Sequence, residues 1–153
     1  KRIGCVYYVK YDEDEPALQL IQDGIAYPNG ITLSPDGQFI YVAEFNTNSL
    51  VCIPSAAYTL GRATPYVFAR MDGGHGPDGI TVDADGNLYV AHLEAKEVLV
   101  FDKDGFQIER IPAPEDADIF VDNLCIHDGC LYICEFGSSN IYRIAVTAET
   151  GEK

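Results

Sequence analysis

The chain has 153 residues, enough for one ordinary domain with a real core, and its 47% hydrophobic content excludes a disordered chain. Twenty-four acidic residues against ten basic ones give a formal net charge of −14, which leaves no cationic footprint for nucleic acid or an anionic membrane surface. No apolar run approaches the roughly 18–20 residues of a membrane span. A cytoplasmic protein is expected, and a chain that opens on Lys1 instead of Met reads as starting inside a longer reading frame.

Along the chain the apolar segments are short, rich in Val, Ile, Tyr and Phe, and punctuated by Gly or Asp-Gly. That pattern predicts an all-β fold with tight hairpins, and no stretch keeps a helical period. Two strands come first, near 2–9 and 18–22, joined across Tyr11-Asp12-Glu13-Asp14-Glu15 as a solvated hairpin tip. A four-stranded unit follows, with strands near 30–33, 39–44, 50–53 and 65–69. A second uses 79–82, 88–92, 97–101 and 107–111. The last has three strands, near 123–126, 130–135 and 141–146, before a polar tail over 147–153 that should fray.

Between strands, Asp36-Gly37, Asp85-Gly86, Asp104-Gly105 and Asp128-Gly129 read as turns, where Asp tolerates turn geometry and Gly supplies positive φ. The stretch Asp83-Ala84-Asp85-Gly86-Asn87 echoes a calcium loop but lacks its closing Glu, so it reads as one more hairpin turn. Five cysteines, with Cys125, Cys130 and Cys134 clustered late, have neither C-x-x-C nor zinc-ribbon spacing and read as buried free thiols.

A motif recurs at the start of each unit: Pro28-Asn29-Gly30-Ile31-Thr32-Leu33, Pro77-Asp78-Gly79-Ile80-Thr81-Val82 and, more loosely, Val121-Asp122-Asn123-Leu124-Cys125-Ile126. Its polar residue is read at Asn29, Asp78 and Asn123, in steps of 49 and 45 residues, near the roughly 40–50 residues of a propeller blade. The expected organisation is therefore a single partial β-propeller of about three blades. Its pieces are outer strands over 1–24, blades over 28–71 and 77–112, and an incomplete blade over 121–146. An open ring would expose apolar faces at both ends. Either the sequence is a fragment, or two copies form a homodimer that completes the propeller.

In a propeller the first strand of each blade lines the central channel. Asn29 and Asp78 would then point to one axis, with Gly30 and Gly79 letting backbones come close. Their oxygens are hard ligands suited to calcium or magnesium, and the same residues would serve equally as loop caps. His75, in Gly73-Gly74-His75-Gly76, is either an exposed loop residue or a substrate contact at the channel mouth. His92, with Glu44 and Glu135 at matching positions, ends a second strand. There it is either exposed or near the channel face as a second substrate contact. No serine elbow, phosphate loop or dinucleotide fingerprint is present.

The blocks Tyr27-Pro28-Asn29-Gly30 through Tyr41-Val42-Ala43-Glu44 and Gly76-Pro77-Asp78-Gly79 through Tyr89-Val90-Ala91-His92 resemble the gluconolactonase, regucalcin and luciferin-regenerating-enzyme family. Val98-Leu99-Val100-Phe101-Asp102 and Asn140-Ile141-Tyr142-Arg143-Ile144 continue the match, which corresponds to that family's C-terminal half. The resemblance implies a six-bladed propeller whose N-terminal blades are absent here, with a divalent cation, calcium foremost, in a central pocket. It implies Asn29 and Asp78 as metal ligands, Asn123 as a third, and Asp78 as the base that activates water on a small-molecule lactone or ester. Family ligands from earlier blades have no counterpart in this sequence. Two other readings stay open: a non-catalytic calcium-binding or interaction segment, and a propeller like strictosidine synthase, which shares the Pro-Asn-Gly block.

Overall fold

The computed structural model describes residues 2–11, 15–56 and 64–146. The expected hairpin tip at Asp12, Glu13 and Asp14 and the fraying tail over 147–153 lie outside the described residues. Thirteen strands are present among the described residues: β1 (Gly4–Lys10), β2 (Ala17–Ile25), β3 (Pro28–Leu33), β4 (Phe39–Glu44), β5 (Ser49–Pro54), β6 (Tyr66–Arg70) and β7 (Gly76–Val82), then β8 (Leu88–Leu93), β9 (Glu97–Phe101), β10 (Gln107–Pro112), β11 (Val121–His127), β12 (Cys130–Glu135) and β13 (Asn140–Ala145). Apart from one 3-10 turn at Phe45–Thr47, there is no helix among the described residues. None is therefore long and apolar enough to cross a membrane.

Strands pair with their sequence neighbours, antiparallel, in four sheets: β1-β2, β3-β4-β5-β6, β7-β8-β9-β10 and β11-β12-β13. Hairpins are set by local chemistry. Asp36 accepts hydrogen bonds from Ser34 Oγ at 2.6 Å and Gln38 N at 3.0 Å, while Gly37 takes φ +69°. Asp102 accepts from the Asp104 and Phe106 N–H groups, both at 2.9 Å. The Asp83 carboxylate holds Asp85 N at 3.0 Å, Asn87 N at 2.8 Å and Asn87 Nδ2 at 2.8 Å, so the stretch that echoed a calcium loop is a self-satisfied turn.

The sheets pack face to face through three apolar layers. Val6 and Ile25 pack with Ile40, Val42, Val51 and Ile53. Tyr41, Ala43, Leu50 and Cys52 meet Ile80, Leu88, Val90, Leu99 and Phe101. Tyr89, Ala91, Val98 and Val100 meet Val121, Leu124, Leu131 and Ile133. The middle strands β4, β5, β8 and β9 thus bury both faces and read as continuous apolar runs. Each fully buried Leu, Ile or Val stabilises the stack by about 1.5–3 kcal/mol. This all-β stack of antiparallel sheets is a partial propeller in its architecture.

The stack is open at both ends. Ile31 and Leu33 sit on the face shared with β1-β2 yet are 54% and 50% exposed. In the next two repeats, Ile80 and Leu124 occupy the position of Ile31 and are only 6% and 8% exposed. The pair β1-β2 therefore covers β4 and β5 and touches β3 at Pro28, beside Gly4, while leaving Ile31 and Leu33 exposed. At the other end, Cys125 and Cys134 share the uncovered face of β11-β12-β13 and are exposed. The expectation that the clustered cysteines are all buried fails there, because no sheet among the described residues covers that face. All five cysteines are free, with Cys52 and Cys130 buried.

Candidate functional site

The first strand of each repeat begins with the same irregularity. In β3 the pairing with β4 jumps from Pro28 opposite Glu44 to Ile31 opposite Val42. In β7 it jumps from Pro77 opposite His92 to Ile80 opposite Val90. In β11 it jumps from Val121 opposite Glu135 to Asn123 opposite Cys134. Each jump inserts one extra residue, a bulge that re-aims the side chains beside it. Counting from the paired residue, Asn29, Asp78 and Asp122 are equivalent.

Asn123 is therefore one residue out of place as the third member of the set. Its Oδ1 accepts a hydrogen bond from the Leu124 N–H at 2.9 Å, closing a local turn. Asp122 holds the corresponding position, and it acts on Asp78 directly. Burial first, then the charge of Asp122 and a hydrogen bond with it, push the Asp78 carboxyl up from 3.8 to about 7; a hydrogen bond with Asn29 opposes them. Side chains from three successive repeats thus meet around one half-buried carboxyl.

Two glycines permit the meeting. A Cβ on Gly30 would lie 2.7 Å from Ile80 N and against the Asp78 carbonyl oxygen. A Cβ on Gly79 would lie 2.7 Å from Asn123 Cα and 2.8 Å from the Asp122 carbonyl oxygen. The first strands of neighbouring repeats therefore run in backbone contact, which only glycine allows at these two points.

The second-strand ends have a different task from the one considered for them. Glu44, His92 and Glu135 are all fully buried, so the exposed strand-end expectation is corrected for His92 and its two counterparts. Each lies on the face turned toward the preceding repeat and presses on the loop that enters the first strand. Glu44 accepts from Ala26 N at 2.7 Å, Arg2 NH1 at 2.7 Å and Thr47 Oγ1 at 2.5 Å. Glu135 accepts from Gly137 N at 2.5 Å, Ser138 N at 2.9 Å, the Ser138 hydroxyl and Asp118 N. Burial pushes the Glu135 carboxyl up, but the hydrogen bonds from Ser138, Gly137 and Asp118 outweigh it and hold it below its ordinary value.

His92 fills the same slot differently. Its Nδ1 lies 3.4 Å from Glu97 Oε1, which also accepts from Arg110 NH1 at 2.8 Å. Its Nε2 has no hydrogen-bond partner and faces Gly74, where a Cβ would come within 2.5 Å. A substrate contact through this enclosed imidazole is not what the geometry offers. His75, by contrast, is 63% exposed, and its Nδ1 pairs with Glu94 Oε2 at 2.5 Å.

Sequence reasoning missed Asp122 and Glu94. Asp122 stood inside the quoted repeat and was lost because Asn123 matched Asn29 by letter instead of by register. Glu94 follows a strand end with φ +63°, a loop placement that no local sequence signal announces. No group of three or more His, Cys, Asp or Glu placed to hold a metal ion occurs among the described residues.

Residues 1–126 match the model of the family described as SMP-30/Gluconolactonase/LRE-like region. The chain belongs to this family. Lactonase drp35 of Staphylococcus epidermidis is 38% identical over 117 residues, which cover 73% of this chain and 34% of that protein. Lactonase drp35 of Staphylococcus aureus is also 38% identical over 117 residues, covering 73% of this chain and 35% of that protein. Among solved structures, regucalcin of Agrobacterium tumefaciens, described as a calcium-binding protein, aligns with a TM-score of 0.70 at 27% identity, covering 87% of this chain and 44% of its own. A gluconolactonase of Xanthomonas campestris aligns at 0.66 with 29% identity, covering 77% and 37%. Luciferin-regenerating enzyme superposes on all of this chain and 48% of its own, at a TM-score of 0.76 and 18% identity, and shows the fold alone. The chain thus spans about a third of the length of these curated relatives and under half that of the solved ones.

Proposed function

We propose that this chain is part of a six-bladed, calcium-dependent hydrolase of small-molecule lactones or esters, and that Asp78 is its base. The observation that carries the reading is the meeting of Asn29, Asp78 and Asp122 around one half-buried carboxyl, in a family whose curated relatives include lactonases.

The donor set fits a hard divalent cation. It offers two carboxylates and an amide oxygen, and the two carboxylates are close enough that one favours holding a proton or a counter-ion. Asn29, Asp78 and Asp122 would hold the cation, with remaining positions of its usual 6–8 oxygens, roughly, left to water and to other blades. Bound there, it would supply Lewis-acid polarisation and charge neutralisation. Asp78, ionised, accepts a proton from the water that attacks the carbonyl carbon. The new C–O bond forms, the ring C–O bond breaks, and the leaving oxygen takes up a proton to give the hydroxy acid. Asn29 favours the ionised form of Asp78 by hydrogen bonding to it, which keeps the base competent.

The open face at Ile31 and Leu33 bears on how the ring closes. In isolation, the chain pairs with a second copy, whose blades cover the face that a preceding repeat covers elsewhere. Two such chains would match the length of one luciferin-regenerating enzyme, of which this chain covers 48%.

Calcium titration with thermal unfolding and lactone hydrolysis tests the reading. Millimolar calcium is expected to raise Tm by several degrees in the parent and not in Asp78→Asn, since a ligand of the folded state stabilises by mass action. Hydrolysis in the parent, reduced at least about a hundredfold in Asp78→Asn, is the second expected result. Calcium binding without hydrolysis would instead leave a calcium-binding module, and no calcium response would sink the metal site.

A further inference from the structure

Resting on the lactone-hydrolase reading, we propose that His75 is a catalytic general acid that protonates the leaving ring oxygen, and that Glu94 is the residue that positions and sustains it. The dyad lies on the two loops that flank the start of β7, the strand that carries Asp78. His75 Nδ1 meets Glu94 Oε2 at 2.5 Å, and the imidazole is 63% exposed. Its backbone is fixed by a hydrogen bond from His75 N to Leu93 O at 3.0 Å.

The repeats supply an internal control. The positions of His75 and Glu94 correspond to Ala26 and Asn46 in the preceding repeat and to Ile119 and Gly137 in the following one. Only the central repeat places an acid–base pair there, although the fold makes no demand for one. Glu94 also adopts φ +63°, a costly conformation for a non-glycine residue, and a hydrogen bond from its N–H to Ile119 O at 3.0 Å holds it there. An exposed ion pair contributes little to stability, so strain maintained to form one calls for another explanation.

Position along the chain suits a division of labour. His75 precedes Asp78 by three residues, on the loop that leads into the strand carrying Asp78. When protonated, His75, held by Glu94, gives its proton to the ring oxygen as the C–O bond breaks. Asp78 takes the proton of the attacking water and returns it through solvent to His75. The sum is lactone plus water giving hydroxy acid, with no other reactant.

The test compares His75→Ala and Glu94→Gln in the full-length protein on two lactone classes, one leaving as an alkoxide and one as a phenolate. An alkoxide needs protonation and a phenolate does not. His75→Ala should lower kcat on the alkyl lactone about a hundredfold, change the phenolic lactone by less than about threefold, leave KM and Tm unaltered, and regain activity with added imidazole. Glu94→Gln should lower kcat on the alkyl lactone about tenfold with the same spared substrate. Equal losses on both classes, or no loss on either, would overturn the dyad while leaving the lactonase reading intact. A parent protein inactive on both classes would overturn the two together.

Discussion

At the scale of single residues, Asp78 is the most consequential group in the chain, because its chemistry depends on neighbours from two other repeats. Its folded-state pKa of about 7 stands above the ordinary 3.8, so the folded protein binds that proton more tightly than the unfolded chain. The resulting stabilisation is complete at acid pH below the unfolded value and is lost as pH rises through 7. In a chelator, denaturant unfolding should therefore show stability falling by about 1–2 kcal/mol between pH 5 and pH 8, allowing for solvent screening of a half-buried group. Relaxation of the −14 net charge on acidification would act alongside this, and Asp78→Asn separates the two because it retains only the general charge effect. Identical pH slopes in parent and variant would show that Asp78 titrates normally.

At the scale of elements, the bulged first strands decide whether a site exists. The hairpins around them were legible from Asp-Gly turns and alternating apolar residues, and all the expected strands formed within a few residues of their expected ends. What sequence could not supply was the register of β11, where Val121 faces Glu135 and so places Asp122, not Asn123, beside Asp78. Glu44, His92 and Glu135 were equally opaque, since a polar residue at a strand end looks exposed until the next sheet is laid over it. The backbone contact of β3 with β7 and of β7 with β11 makes a definite prediction. Gly30→Ala and Gly79→Ala should each cost about 1–3 kcal/mol by overpacking. Each should also abolish the calcium-dependent rise in Tm, since the first strands must separate to admit the methyl group. A variant of ordinary stability and undiminished calcium response would refute the close-approach account.

At the scale of the whole molecule, the governing fact is that three apolar layers are complete and the outer faces are not. Ile31 is exposed where its counterparts Ile80 and Leu124 are buried, and Leu33 is exposed where Val82 and Ile126 are partly buried, so the chain in isolation carries an unmet requirement for cover. Light scattering on the purified chain should report a dimer. Ile31→Lys combined with Leu33→Lys should give a monomer with unchanged strand content, because both residues lie outside the three layers that hold the sheets together. A parent that sizes as a monomer would contradict the pairing.

By itself, the sequence determined the propeller-type repeat, the strand order, the turn positions and the region where polar side chains gather. These follow from short-range physics: alternation of apolar residues along a strand, the φ freedom of Gly, and the capacity of Asp to bond its own turn. Only the tertiary structure decided that Asp122 joins Asn29 and Asp78, that Glu44 and Glu135 anchor loops from within the core while His92 is buried there against Gly74, and that His75 has Glu94 as its partner. Those relations join residues from different strands, repeats or loops, and they exist only once sheets stack and bulges fix which side chain faces which neighbour. Spacing along the chain locates a meeting point; packing across it selects the residues that meet.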